Sequence, residues 1–517
     1  MDAASSSPIP PLTDVIVAAV SRLVDDHAQT REPSHSAIES LIDRAGLRHR
    51  VVTTDELQAR LHHDDDSDGL LPEFLGRASY YDAASFTDVV LRVGRHLGAH
   101  ADDIPTYPLV VVDEYQDFSS VETRLIDLLA QRSPVLIAGD DDQALYEFKH
   151  ASAQYIRTLA SDPAYAQFTL PYCSRCPEVL VEAVNSVVRA AQAAGLLQER
   201  LDKPFRCYMP GKAGDSAAHP KIIFANCTVE SKAAAYMSRY VGSQIAEIPA
   251  EDIAESHRLP GYPTALVIGP RHYLERVHAF LTTHGYPQAK LKSSAPRAVD
   301  ILDGYKRLRD DECSRLGWRI VVESDPPGDD SLVRRIVAAD RLDQALPGRY
   351  RDKHLGAVAV LQLLQGEGVL TAAKVRQVSE DLGVDGSALI ARLRLGWPSD
   401  DVEADVQTNE VPKDPALPSI VCTSIIGSKG LSAGYVYVLG MNNGDLPRSR
   451  IAVTDAEACQ FIVALSRARK ECQLVGVGRF AGQPTNGPSV FVDWIRPHVQ
   501  TRWINAAYWA RMTPRPS

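Results

Sequence analysis

The sequence predicts an α/β protein of two lobes, each built on a parallel sheet, with a helical insertion in the second lobe. Three observations predict it. Between residues 109 and 143, two bare apolar runs, Leu109-Val110-Val111-Val112 and Pro134-Val135-Leu136-Ile137-Ala138, flank a helical pattern over 121–131. Runs without polar alternation suit strands buried on both faces, and strand, helix, strand in that order suits a βαβ unit. The alternation returns beyond residue 216, over 221–284 and again over 419–440. Between those stretches, residues 301–410 break it with mostly helical patterns separated by polar loops.

Taken in order, residues 1–100 read as a mostly helical region. A small-residue stretch precedes Thr13, which can cap a helix with Val15, Ile16, Ala19, Val20, Leu23 and Val24 on one face. Further helices are expected over 36–45, 54–62 and 85–97. The first lobe spans 101–215, and the Pro/Gly/Ser-containing stretch 210–220 reads as the linker that follows it. The second lobe takes 216–300 and 411–496. Strands are expected over 221–225, 264–269, 419–423 and 435–440, with helices over 231–241 and 273–284. In the insertion the helical patterns are 298–309, 331–343, 355–365 and 372–382. From Gly482 onward the chain reads as a Pro-containing end with one short helix over 491–495, residues 497–517 being a tail.

A chain of 517 residues accommodates about three domains, so core size is no constraint. No apolar run is long enough to span a bilayer, and the N-terminus, with Asp2 and Asp14 and no basic residue before Arg22, makes a poor signal peptide. A cytoplasmic protein is the expectation. The net charge of −11 excludes a generally basic nucleic-acid coat, although a local groove of Lys and Arg would suffice to neutralise phosphates. Of eight cysteines only Cys173 and Cys176 form a C-x-x-C. Without a second pair at zinc-ribbon spacing no zinc site is assigned there. His62-His63-Asp64-Asp65-Asp66 reads as a solvated loop.

The chemistry concentrates at the ends of the first two strands, where open α/β sheets bind ligands. There stand Asp113-Glu114-Tyr115-Gln116-Asp117 and Gly139-Asp140-Asp141-Asp142-Gln143. Two adjacent carboxylates can divide the work of nucleotide hydrolysis, one holding Mg²⁺ and the other polarising the attacking water. An Asp-Glu pair after a strand is common by itself. The two strings together, with Ala144-Leu145-Tyr146-Glu147-Phe148 continuing the second, resemble motifs II and III of superfamily 1 DNA helicases of the UvrD/Rep type. Leu170-Pro171-Tyr172-Cys173-Ser174-Arg175-Cys176-Pro177 resembles motif IV, the stretch from Ser424 to Leu431 motif V, and Ala464-Leu465-Ser466-Arg467-Ala468-Arg469 motif VI. The resemblance covers residues 80–480. Three positions depart from the family pattern: Ser174 stands for a Tyr that stacks on adenine, Ile426 for a His, and Ser432 for a Glu that contacts the nucleotide sugar.

The resemblance implies two RecA-like lobes of the P-loop-NTPase type that clamp ATP and Mg²⁺ and ratchet along single-stranded or partly duplex DNA, typically 3′ to 5′. It assigns Mg²⁺ to Asp113, water activation to Glu114, and γ-phosphate sensing to Gln143. Arg175 and Arg467 would neutralise developing charge, with Lys429 and Gly430 at the nucleotide. Tyr146 and Phe148 would meet the DNA, Phe148 by stacking on a base. One part is missing from the strings. No G-x-x-x-x-G-K-[ST] occurs: Gly46, Gly69, Gly76, Gly94 and Gly98 precede no Lys, and Gly211-Lys212 lacks the earlier glycine. Three readings follow: the P-loop lies upstream of Met1, the chain is a non-hydrolysing DNA- or protein-binding module, or a partner polypeptide supplies the P-loop. The first is expected, because keeping Asp113, Glu114, Gln143, Arg175 and Arg467 together is odd once hydrolysis is abandoned.

Overall fold

The computed structural model describes residues 54–67, 70–80, 86–145, 150–258, 262–292, 301–325, 346–366, 380 and 414–512. The helices expected over 15–24, 36–45 and 331–343, and nearly all of 372–382, lie outside the described residues. Three helices lead in: α1 (Thr54–His63), α2 (Leu70–Tyr80) and α3 (Phe86–Ala99). Leu57 and Leu61 of α1, Leu71 and Phe74 of α2 and Leu91 of α3 share one apolar cluster. The three- and four-residue spacings within α1 and α2 put those pairs on single helix faces.

The expected βαβ unit forms as β1 (Val110–Val112), α4 (Ser120–Ala130) and β2 (Val135–Ile137), with Val110 opposite Val135 and Val112 opposite Ile137 in parallel register. α4 starts on a capping box: the Ser119 backbone N–H donates to Glu122 at 2.7 Å, giving an otherwise orphaned donor a partner. Val110, Val112, Tyr115, Ile126 and Leu129 form the core beneath, joined by Tyr155, Ile156 and Leu159 around α5 (Gln154–Ser161). The expectation of burial on both faces holds on one face only. Side chains alternate across a strand, and with helices over a single face among the described residues Val111 is 50% and Leu136 54% exposed.

Next come β3 (Tyr172–Cys173), α6 (Glu178–Ala193) and β4 (Arg206–Cys207), with β3 and β4 paired in parallel. The stretch expected as a linker is instead helical, α7 (Met209–Ala218). Pro210 sits in the first turn, where its missing N–H costs nothing. Lys212 is buried and donates to the Arg469 carbonyl at 2.7 Å, so tertiary contact overrides the composition of the stretch.

The second lobe continues with β5 (Ile222–Cys227), α8 (Tyr236–Ala246), α9 (Ala250–Arg258), β6 (Ala265–Ile268), α10 (Arg271–Thr283) and β7 (Lys290–Leu291). The insertion supplies α11 (Ile301–Asp310), α12 (Arg315–Ser324) and α13 (Gly348–Gly366). After it come β8 (Ile420–Thr423), β9 (Ala433–Leu439), α14 (Asp455–Ser466), β10 (Ala468–Val477) and the short antiparallel pair β11 (Arg479–Phe480) and β12 (Gln483–Pro484). The last described elements are α15 (Val490–Trp494), β13 (Val499–Ile504) and α16 (Ala506–Met512). Seven strands form one all-parallel sheet in the order β13-β5-β10-β9-β6-β8-β7.

Alternation across these strands splits the core in two. Phe224, Leu266, Ile268, Val436, Val438 and Leu474 face α6 and α14, while Ala225, Val267, Tyr437, Leu439 and Val475 face α8 and α10. α6 therefore shares a core with the second sheet. Three strands of this sheet went unread, β7, β10 and β13, the first being only two residues long. β10 opens with the polar run Arg469-Lys470-Glu471, and β13 is an edge strand whose Gln500 and Thr501 are exposed, so the stretch expected as a tail completes the sheet.

Inside the insertion, α11 and α12 pack closely at Gly304, where a Cβ would lie 2.8 Å from Val321 and 3.0 Å from the Gly317 carbonyl. His354 of α13 is wholly buried and hydrogen bonds to the Tyr305 hydroxyl at 2.9 Å. Among the described residues no helix is long and apolar enough to cross a membrane.

Candidate active site between the lobes

The carboxyl ends of β1 and β2 carry the acidic strings, as expected. Asp113 is exposed, and its Oδ1 accepts the Glu114 backbone N–H at 2.9 Å. Glu114 takes a left-handed backbone (φ 54°), a conformation that costs a non-glycine residue about 1–3 kcal/mol. Surrounding contacts hold it there. Buried Gln116 donates from Nε2 to Glu114 Oε2 at 2.6 Å, while its Oε1 accepts the Asp140 N–H at 3.0 Å. One carboxamide thus joins both strand ends. Gly139 is required beside it, since a Cβ there would lie 2.7 Å from Gln116 Oε1.

The second string turns through a 3-10 segment, Asp141–Gln143, and its three aspartates meet three cations. Lys203 binds both Asp140 and Asp141 and lies 3.3 Å from Asp142. Arg200 Nε contacts Asp142 at 2.7 Å and Arg157 Nε contacts Asp141 at 3.1 Å. Burial opposes ionisation of Asp141, but Lys203 outweighs it and holds the carboxyl below its usual range. Burial likewise opposes the charge on Lys203, and the aspartates outweigh it, so the ammonium is held above its ordinary value. With every aspartate engaged by a cation, this cluster is a structural clamp rather than a set of open metal ligands. Its product is the pose of Gln143, whose Nε2 donates to Asp140 Oδ2 at 2.5 Å.

From the second lobe two cations enter. Arg467, at the end of α14, is 3% exposed; its Nε donates to Val463 O at 3.1 Å and its Nη2 to Gln143 Oε1 at 3.1 Å. Burial first, and then the neighbouring Arg175, draw the Arg467 guanidinium down to about 10, so it is still charged at neutral pH. Lys429 follows the 3-10 turn Ile426–Ser428. Its Nζ binds Asp117, lies 3.4 Å from Glu114 Oε2 and donates to Gln143 O at 3.1 Å. Gly430, with φ 76°, supplies the left-handed step that follows. Arg175 is exposed and reaches the same helix end, donating from Nη1 to Ser466 O at 3.3 Å.

Glu114, Gln143, Lys429 and Arg467 therefore converge across the lobes, with Asp113 next to Glu114 and Arg175 against the α14 end. Tyr146 and Phe148 lie outside the described residues. At the positions that depart from the family pattern, Ser174 is exposed, Ile426 half-buried and Ser432 buried, while Tyr172 is 57% exposed. Sequence reasoning missed Asp117, Gln116 and the clamp. Asp117 stands inside the first acidic string, and its Oδ1 is buried without a hydrogen-bond partner. Burial raises its carboxyl above the ordinary range, with Lys429 opposing. Lys203 and Arg200 gave no signal because their partners lie about sixty residues away.

Comparison with known proteins places the N-terminal region. Residues 18–164 match the family model of the UvrD/REP helicase N-terminal domain. The N-terminal region is UvrD/Rep-like. A match to UvrD2 proteins extends further along the chain. The ATP-dependent DNA helicase UvrD2 of Mycobacterium tuberculosis is 22% identical over 414 residues, 77% of this chain and 51% of that protein. RecB, a subunit of the RecBCD enzyme of Mycolicibacterium smegmatis, is 35% identical over 91 residues, 17% of this chain and 8% of that protein. The ATP-dependent DNA helicase srs2 of Schizosaccharomyces pombe is 32% identical over 80 residues, 15% of this chain and 9% of its own length. Each match spans about half of the relative or less.

Proposed function

We propose that this chain carries the interlobe half of an ATP-driven DNA motor of the UvrD/Rep type, moving 3′ to 5′ on single-stranded DNA and separating strands. One observation carries the reading: Arg467 of the second lobe donates to Gln143 of the first at 3.1 Å, beside the Lys429–Glu114 contact. Residues more than three hundred positions apart meet at one cleft, with anionic groups on one wall and cations on the other.

The donor set fits a nucleotide polyphosphate with Mg²⁺. Asp113 is exposed at a strand end, as suits a hydrated Mg²⁺ that takes one or two carboxylates. When bound, ATP with Mg²⁺ supplies the phosphoanhydride whose hydrolysis drives movement. Glu114, fixed by Gln116 and Lys429, accepts the proton of the attacking water. Gln143, held by Asp140 on one side and Arg467 on the other, relays nucleotide state between the lobes. Arg467 and Arg175 neutralise charge at the transferring group, and Lys429 and Gly430 line the same cleft. Tyr146 and Phe148 serve the DNA.

A second reading keeps the site and changes its completion: a P-loop donated by another polypeptide. It is favoured by the missing G-x-x-x-x-G-K-[ST] string together with the exposed Val111 and Leu136 on the sheet that bears Asp113. The test is steady-state ATP hydrolysis and fluorescence anisotropy with a labelled single-stranded oligonucleotide. The chain by itself is expected to bind the oligonucleotide with negligible turnover, and a non-hydrolysable ATP analogue with Mg²⁺ is expected to shift that affinity in the native protein but not in Arg467→Gln. Robust turnover abolished by Glu114→Gln would show that the phosphate-binding role is met within these 517 residues. Absence of oligonucleotide binding would remove the motor reading.

A further inference from the structure

The C-x-x-C pair, assigned no metal on sequence grounds, lies where the start of α6 meets the end of α14. β3 and β4 pair with Cys173 opposite Cys207, and the chain bends after β3 so that the Cys176 backbone N–H donates to Cys173 Sγ at 3.4 Å. The two thiols have different surroundings. Cys173 is half-buried and precedes Arg175 by two residues; Cys176 is buried just ahead of α6, and its thiol donates to Ser466 O at 3.5 Å. The adjoining Cys176 side chain, with the Cys176 and Arg175 backbone N–H groups and the Arg175 charge, draws the Cys173 thiol down to about 6, burial opposing. The adjoining Cys173, with burial, pushes the Cys176 thiol far up. Attack on a disulfide requires a thiolate with access to solvent, and a closed pair requires a second thiol within reach. Both are present, and both cysteines are reduced in this structure.

We propose that Cys173 and Cys176 form a redox-active dithiol couple that takes low-molecular-weight disulfides as its oxidant. The Cys173 thiolate attacks one sulfur of the disulfide, forming a mixed disulfide and expelling one thiolate. Cys176 then gives its proton to solvent and attacks the Cys173 sulfur, expelling the second thiolate. Two protein thiols are oxidised and one external disulfide is reduced to two thiols. The consequence falls on the contact between α6 and α14: a disulfide has no S–H, so Ser466 O loses that donor and keeps the Arg175 Nη1 contact at 3.3 Å.

Trypsin makes the test direct, because it cuts after Arg175 and places the two cysteines on peptides 158–175 and 176–189, with Cys207 on 207–212. The native full chain is incubated with oxidised glutathione, its remaining thiols are alkylated, and it is digested without reductant. The expected result is a joined 158–175/176–189 pair that dithiothreitol separates, absent from Cys173→Ser and retained in Cys207→Ser. Failure of the native chain to form that pair, or joining of 158–175 to 207–212 instead, overturns the proposal. In the reduced protein the alkylation rate of Cys173 is expected to rise with a pH midpoint of about 6, and a midpoint at the ordinary thiol value of about 8.5 overturns it as well.

Discussion

Every residue of β6 is buried from both sides, whereas in the first lobe the central residues of β1 and β2, Val111 and Leu136, are half exposed. Both sheets are parallel and both present side chains of the candidate site at one end, yet they hold those side chains by different means. In the second lobe helices cover the two sheet faces, and Arg467 inherits its position from the wholly buried strands and helices around it. In the first lobe the strands are three residues long, and Glu114 and Gln143 are placed by polar contacts: Gln116 across the strand ends, the lysine–arginine–aspartate clamp, and Lys429 from the facing lobe. The candidate site side chains of one lobe are held by apolar burial, those of the other by charge.

That contrast can be broken most directly with matched leucines. Leu439→Ala in β9 should cost about 2–5 kcal/mol, the usual range for a buried leucine. Leu136→Ala in β2 should stay within about 0.5 kcal/mol, as for a surface change. Equal losses in urea melts would mean that the outer face of the first sheet is covered in solution. Lys429→Met sharpens the polar side of the comparison. It leaves the half-buried Asp117 carboxylate without its cation, and about 2–3 kcal/mol should be lost in thermal unfolding. Pairing it with Asp117→Asn should recover most of that loss in a double-mutant cycle.

The smallest effect separates the insertion from the sheet that carries it. Burial lowers the His354 imidazole to about 4 from an ordinary 6.5, with Lys353 assisting and Asp325 opposing. A depressed folded value means that the stability it contributes is present above the unfolded value and is lost as pH falls toward the folded one. Lowering the pH from about 7.5 to about 5 should therefore destabilise the insertion by about 2 kcal/mol. Hydrogen exchange should report this in α11 and α13 and not in β6 or β9, and His354→Gln should flatten the dependence.

The sequence made legible what is written in neighbouring residues. The apolar runs of β5, β6, β8 and β9 are unbroken, and the acidic strings sit at strand ends, so strands and site followed from local pattern. β10 was hidden by its charged opening and β13 by its exposed polar residues, because edge and cleft positions need not be apolar. α7 was hidden by Pro210, Gly211 and Gly214, whose cost is offset by buried Lys212. The clamp could not be read at all: its aspartates are consecutive, but the cations that neutralise them come from Arg157 and from the stretch 200–203.

α6 follows the first lobe in the chain yet buries Leu180, Val184 and Val187 in the core beneath the second sheet. Arg175, three residues ahead of that helix, and Arg467, at the end of the helix it packs against, are consequently mounted on one body. Any hinge motion that parts the lobes has to carry both guanidinium groups together. On the function proposed above, a nucleotide would then be gripped by both arginines at once rather than by one after the other.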